Sequence, residues 1–145
     1  MSELVTEPAF EGSIAITIAP DVRLVRPVRL AVGGLASLAG FDVEAIEDLR
    51  IAVNELTATL IERGDGSDLR LRLSVLEHGT IRIEGSTGLA VPSTASDRFA
   101  LSDQILSVVA DAHGFADEGG MVTAWLDRAQ VNWPDDDDGG GDESS

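Results

Sequence analysis

Few side chains in this chain are placed to do chemistry, and Glu55 is the first of them. It lies in the stretch 42–63, DVEAIEDLRIAVNELTATLIER, where Ile46, Leu49, Val53, Leu56 and Leu60 alternate steps of three and four. At about 100° per residue these five form one helical stripe. Asp48, Ala52, Glu55, Thr59 and Glu62 fall on roughly the opposite face, turned away from a core. A carboxylate there could act as a general base, polarising a water or hydroxyl beside a phosphate. The plainer alternative is that Asp48, Glu55 and Glu62, seven apart, are the solvated stripe of an amphipathic helix. Spacing alone favours the plainer one.

The other candidates are weaker. His78 falls in a hairpin loop and His113 at the end of a helix, where a cation suits the dipole. Neither has an acidic partner at a fixed spacing, so both read as structural. The chain has no cysteine and all ten of its basic residues are arginine. That excludes disulfides, thiolate catalysis and cysteine metal ligation, and with them Schiff-base chemistry and a phosphate-loop lysine. No serine stands in a nucleophile-elbow context. The aspartates at 135–138 are consecutive acids in a low-complexity segment and read as solvated rather than as a metal site.

The elements that must position Glu55 follow from periodicity. Ile14, Ile16 and Ile18 mark a short strand ended by Pro20. A helix is expected from about Val25 to Gly40, with Pro27 tolerated in its first turn and Gly33 and Gly34 marking close packing. Asp42 is placed to cap the helix that carries Glu55, Glu44, Glu47 and Asp48 favour its dipole, and Gly64 stops it. Leu69, Leu71, Leu73 and Val75 alternate with Arg70, Arg72 and Ser74 in a half-buried strand. Ile81 and Ile83 mark the strand that returns after a loop at 77–79. A loop over 86–98 leads to a helix capped by Ser96 or Ser102, with Phe99, Ile105, Leu106 and Val109 inward and Gly114 as its stop. A turn at 117–120 and a strand at 121–126 complete the order.

Strand, helix, helix, strand, strand, helix and one or two strands predict an α/β two-layer sandwich, with helices covering one face of one sheet. By length this is one domain. We divide the chain into an irregular N-terminus (1–12), the folded domain (13–130) and a disordered acidic tail (131–145). The net charge is −16, with six of the 26 acids in the last eleven residues. The rest still holds twice as many acids as arginines, which argues against a nucleic-acid surface. No apolar run is long enough to span a membrane. The N-terminus lacks the basic start of a signal peptide, so the expected location is cytoplasmic.

The segment VRLAVGGLASLAGFDVEAIEDLRIAVNELTATLIERG resembles the opening of bacterial anti-sigma-factor serine kinases of the RsbW and SpoIIAB kind. These belong to the GHKL superfamily, which includes the histidine kinases. Gly40 and Phe41, then the run from Ile46 to Glu55, match the family's link and its I-E-D-[LIM]-[KR]-x-A-V-x-E stretch. VTAWLDR is similar to the family's final strand. The resemblance implies a histidine-kinase-like ATPase (Bergerat) fold with a mixed sheet, an ATP and Mg²⁺ site, and Glu55 as catalytic base.

The same resemblance places nucleotide-binding roles on Thr59, Ser86 and Gly88. The family's Mg²⁺-binding asparagine falls on Thr59. In a D-x-G-x-G box aligned on Gly88, the adenine-reading aspartate falls on Ser86 and the last glycine on Ala90. FALSDQIL replaces the glycine-rich helix start. Two lost charge-assisted hydrogen bonds, at about 1.5–3 kcal/mol each, would weaken nucleotide binding by about 10²–10⁴. The expected function is an anti-sigma-type regulator that sequesters a sigma factor and is opposed by a STAS-domain anti-anti-sigma factor. Its nucleotide pocket is degenerate and binds ATP weakly or not at all. Two alternatives stand: an active serine kinase acting on that antagonist, and an interaction domain with neither role. The resemblance also implies a homodimer through the sheet, with the first strand or its neighbouring helix at the interface.

Overall fold

The computed structural model describes residues 11–90 and 97–130, with 97–99 described by backbone alone. The irregular N-terminus up to residue 10, the acidic tail and the side chain of Phe99 lie outside the described residues. Five strands and three α-helices follow in the order β1 (Gly12–Ile18), α1 (Val25–Leu38), α2 (Val43–Arg63), β2 (Leu69–Leu76), β3 (Thr80–Gly88), α3 (Asp97–Val109), β4 (Ala112–Glu118) and β5 (Met121–Ala129).

The helix starts and stops have local causes. The Asp42 carboxylate accepts the Ala45 amide at 2.8 Å, capping α2 as expected. Gly40, at φ 88°, ends the run begun by α1. The Phe41 and Gly40 amides reach back to the carbonyls of Ala36 and Ser37 at 2.9 and 3.1 Å, a Schellman closure. Pro27 lies in the first turn of α1, where its missing N–H costs little.

The sheet order is β1-β2-β3-β5-β4. Every pairing is antiparallel, which corrects the expectation of a mixed sheet. The single helix α3 returns the chain so that β4 runs parallel to β3. However, β5 slots between them and pairs antiparallel with both, so no parallel pair forms. A second correction falls on Gly114 and His113. The helix ends at Val109, and both residues lie in β4.

The helices cover one face. Leu69, Leu71, Leu73 and Val75 of β2, Ile81 and Ile83 of β3, and Val122, Ala124 and Leu126 of β5 point into the core. They meet Val28, Val32 and Leu35 of α1, Leu49, Val53, Leu56 and Leu60 of α2, and Leu106 and Val109 of α3. Gly85 lets α2 come close, since a Cβ there would lie 2.6 Å from Leu60 Cδ1 and 2.8 Å from Leu71 Cδ2. Leu30 and Leu38 of α1 are exposed.

Candidate functional site

Helix α2 is the middle helix of its layer, with the sheet beneath it and α1 and α3 on its flanks. It is also held at both ends. Asp48 binds Arg128 of β5 at 3.1 Å, and Arg63 in the last turn pairs with Asp117 of β4. Thr57 satisfies its buried hydroxyl within the helix, donating to the Val53 carbonyl at 2.7 Å. The side chains between the two end clamps are therefore fixed.

Glu55 is buried, with 8% of its surface exposed, and Thr59, one turn on, is completely buried. This corrects the reading of that face as outward: α3 covers it. Ser102 supplies the contact. The Thr59 hydroxyl donates to Ser102 Oγ at 2.9 Å, and the Ser102 hydroxyl donates to Glu55 Oε1 at 3.1 Å. The two bonds form a directed relay that ends on the carboxylate. Ser102 is itself fully buried, and lies inside α3 rather than at its N-cap.

The other two predicted positions lie elsewhere. Ser86 opens onto the sheet face opposite the helices, beside Arg70 and Thr123. The sheet separates it from Glu55 and Thr59. Its neighbour Thr87 takes the inward position, 2% exposed, and donates to the carbonyls of Ser67 and Asp68 at 3.1 and 3.0 Å. Gly88 lies past the end of α2, where an added Cβ would come within 2.4 Å of Asp65 Oδ2. Asp65 accepts from the Ser67 amide at 2.9 Å, and its own amide reaches the Gly88 carbonyl at 2.9 Å. The Ser67 hydroxyl and amide hold the Asp65 carboxyl below its ordinary value.

The structure therefore brings Glu55 and Thr59 together, adds Ser102, and leaves Ser86 and Gly88, with Thr87 between them, apart from that cluster. His113, read as partnerless, meets Asp103 of α3 at 2.7 Å. The described residues as placed do not fit Mg-ATP. The Thr59 hydroxyl is spent on Ser102, Ser102 lies against Glu55, and Ser86 faces the other side of the sheet. Among the described residues, no three histidine, aspartate or glutamate side chains gather as a metal site. None of the described helices is long and apolar enough to cross a membrane.

No protein-family model matches the chain, and no curated protein matches it by sequence. Among solved structures, it is similar in fold to the RsbU and RsbW domains of Rv1364c from Mycobacterium tuberculosis, with a TM-score of 0.67 and 17% sequence identity. The match covers 82% of this chain and 32% of that one, so this chain spans about a third of its neighbour's length. At that identity the likeness is one of fold. It bears out the two-layer α/β sandwich with helices on one face of the sheet.

Proposed function

We propose that this chain is a regulator of the anti-sigma type that acts by holding a sigma factor through a protein interface, without phosphoryl transfer. The observation that carries the reading is the Thr59–Ser102–Glu55 relay. A catalytic base needs an approach path and a substrate proton within reach, and here a neighbouring helix has laid a hydroxyl across the carboxylate. Fold and sequence likeness to RsbW support the anti-sigma class, and the closed α2–α3 face supports sequestration over catalysis. A STAS-domain antagonist would then compete for the same protein surface without being phosphorylated. The kinase reading retains one support, the position of Glu55 on α2, and it requires α3 to move off that face.

Two measurements test the proposal. Calorimetric titration with Mg-ATP, beside a Glu55→Ala variant, is expected to give no heat of binding at millimolar nucleotide for either protein. Binding of the host's sigma factors to the purified chain is expected to be equally tight with and without Mg-ATP. Micromolar nucleotide binding with phosphate transfer to a STAS serine would overturn it.

A further inference from the structure

Two side chains at the end of β5 each keep one polar atom that the fold buries and does not pair. In the register Arg128 stands opposite Ile81, whose side chain is buried in the core, so Arg128 points toward the helices. Side chains alternate along a strand, and Gln130, two residues on, reaches to the same side. Both extend to the start of α2. Arg128 Nη2 donates to Asp48 Oδ2 at 3.1 Å, and the Gln130 side-chain amide donates to the Gly40 carbonyl just before the helix. The Gln130 backbone amide is tied as well, to the Gly79 carbonyl at 3.0 Å. Once these bonds are made, Arg128 Nε and Gln130 Oε1 remain buried with no hydrogen-bond partner among the described residues.

The sense of each unpaired atom is fixed by the bond its own group already makes. The nitrogen of the Gln130 amide must be the atom facing the Gly40 carbonyl, because turning the amide over would set two carbonyl oxygens against each other. Its Oε1 is therefore an acceptor, whereas Arg128 Nε carries one hydrogen and can only donate. A buried donor or acceptor left unpaired costs its full desolvation, and native structures seldom leave two of opposite sense on one face. We propose that a single internal water is bound between Arg128 Nε–H and Gln130 Oε1. The water accepts from Nε and donates one proton to Oε1. Its second proton serves the Asp48 carboxylate that Arg128 already engages, which completes the roughly three partners typical of an internal water. Strand residues two apart are separated by about 6.6 Å at Cα, a spacing suited to a bridge of two bonds of about 2.9 Å each. Through this network the end of β5 is joined to the α1–α2 link at Gly40 and to α2 at Asp48. The inference stands apart from the proposed function, since α3 takes no part in it.

The test is NMR on the full chain, following the Arg128 Nε–H group at mildly acid pH and low temperature, where guanidinium protons exchange slowly. Its resonance is assigned by its disappearance in Arg128→Lys. The expected result is a cross-peak to water in a ¹⁵N-edited rotating-frame Overhauser spectrum, with the sign of dipolar contact rather than of chemical exchange. Gln130→Met keeps the length of the side chain and removes the acceptor, so the cross-peak should fall several-fold. Absence of the cross-peak in the parent chain overturns the proposal, whatever the variants do. So does a coupling across a hydrogen bond from Arg128 Nε–H to the side-chain carbonyl carbon of Gln130 or Asp48, which reports a direct bond. A cross-peak left at full strength by Gln130→Met overturns it as well.

Discussion

Replacing Ser102 by Ala removes one buried oxygen and both bonds of the relay. The Thr59-to-Ser102 bond joins two neutral hydroxyls and is worth about 0.5–1.5 kcal/mol, whereas the Ser102-to-Glu55 bond to a carboxylate is worth about 1.5–3 kcal/mol. Alanine returns roughly 0.5 kcal/mol of helix propensity. Thr59 can also recover a partner on its own helix, as Thr57 does with Val53. The net expectation is a loss of about 2–3 kcal/mol. With a urea slope of about 1.5 kcal/mol per molar, the unfolding midpoint should fall by roughly 1.5–2 M with the slope unchanged. Thr59→Val keeps the shape and leaves the Ser102 bond to Glu55 in place, so it should cost under about 1 kcal/mol. A cycle pairing Ser102→Ala with Glu55→Gln should give a coupling of about 1–2 kcal/mol. If the midpoint of Ser102→Ala moves by less than about 0.3 M, or if Thr59→Val costs more than Ser102→Ala, the relay does not hold α3 on α2. In that case α3 does not close the site.

Gly85→Ala places a methyl 2.6 Å from Leu60 Cδ1, so α2 must lift from β3 at a cost of about 1–3 kcal/mol. A urea midpoint equal to the parent's would contradict that packing. Asp65 titrates below its ordinary 3.8 because Ser67 donates to it twice. A depressed carboxyl contributes stability above its unfolded value and loses it as pH falls through the folded one. Ser67→Ala should bring the Asp65 carboxyl ¹³C titration back toward 3.8, and an unmoved curve would refute the assignment. Asp21 accepts from the Arg23 side chain and amide, which draw it down from 3.8 to about 2. Arg23→Gln should raise that midpoint in the same ¹³C experiment, and any stability Asp21 lends disappears between those two pH values on acidification.

The elements of the fold were legible because their determinants are local. The alternation Leu69, Leu71, Leu73, Val75 defines a strand, the stripe Leu49, Val53, Leu56, Leu60 a helix, and Asp42 its start, and each needs only near neighbours in sequence. The site was less legible, because burial of one helix face depends on a helix some forty residues away. A period of 3.6 places Glu55 and Thr59 opposite the apolar stripe, but cannot say that α3 lies over them. A signal did exist. Ser102 stands at i, i+4 and i+7 with Leu106 and Val109, so it occupies the core stripe of its own helix. A polar residue in such a stripe calls for a buried polar partner. Small Ala52 and hydroxylic Thr59, flanking Glu55, are what a close helix contact would need. Ser86 lies apart from Glu55 for a different reason. In a strand successive side chains take opposite faces, so Ser86 faces away from the helices and its neighbour Thr87 takes the inward position.

Why Glu55 remains a glutamate can be argued from the same geometry. A buried carboxylate without donors costs several kcal/mol, so a position freed from catalysis would ordinarily be better filled by an apolar residue. Here Ser102 donates to Glu55 and accepts from Thr59, so whatever its role in chemistry the carboxylate is an acceptor held between two helices rather than an isolated charge. The relay has a direction, and only a side chain that accepts at its end completes it. Leu or Met at position 55 would fill the space but leave the Ser102 hydroxyl as a buried donor without an acceptor, at a cost of about 1–3 kcal/mol. A buried acid at position 55 of α2 is thus sufficiently explained by packing. The presence of Glu55 is accordingly no argument for phosphoryl transfer, and under the proposed function it is the mobility of α3 that separates sequestration from kinase chemistry.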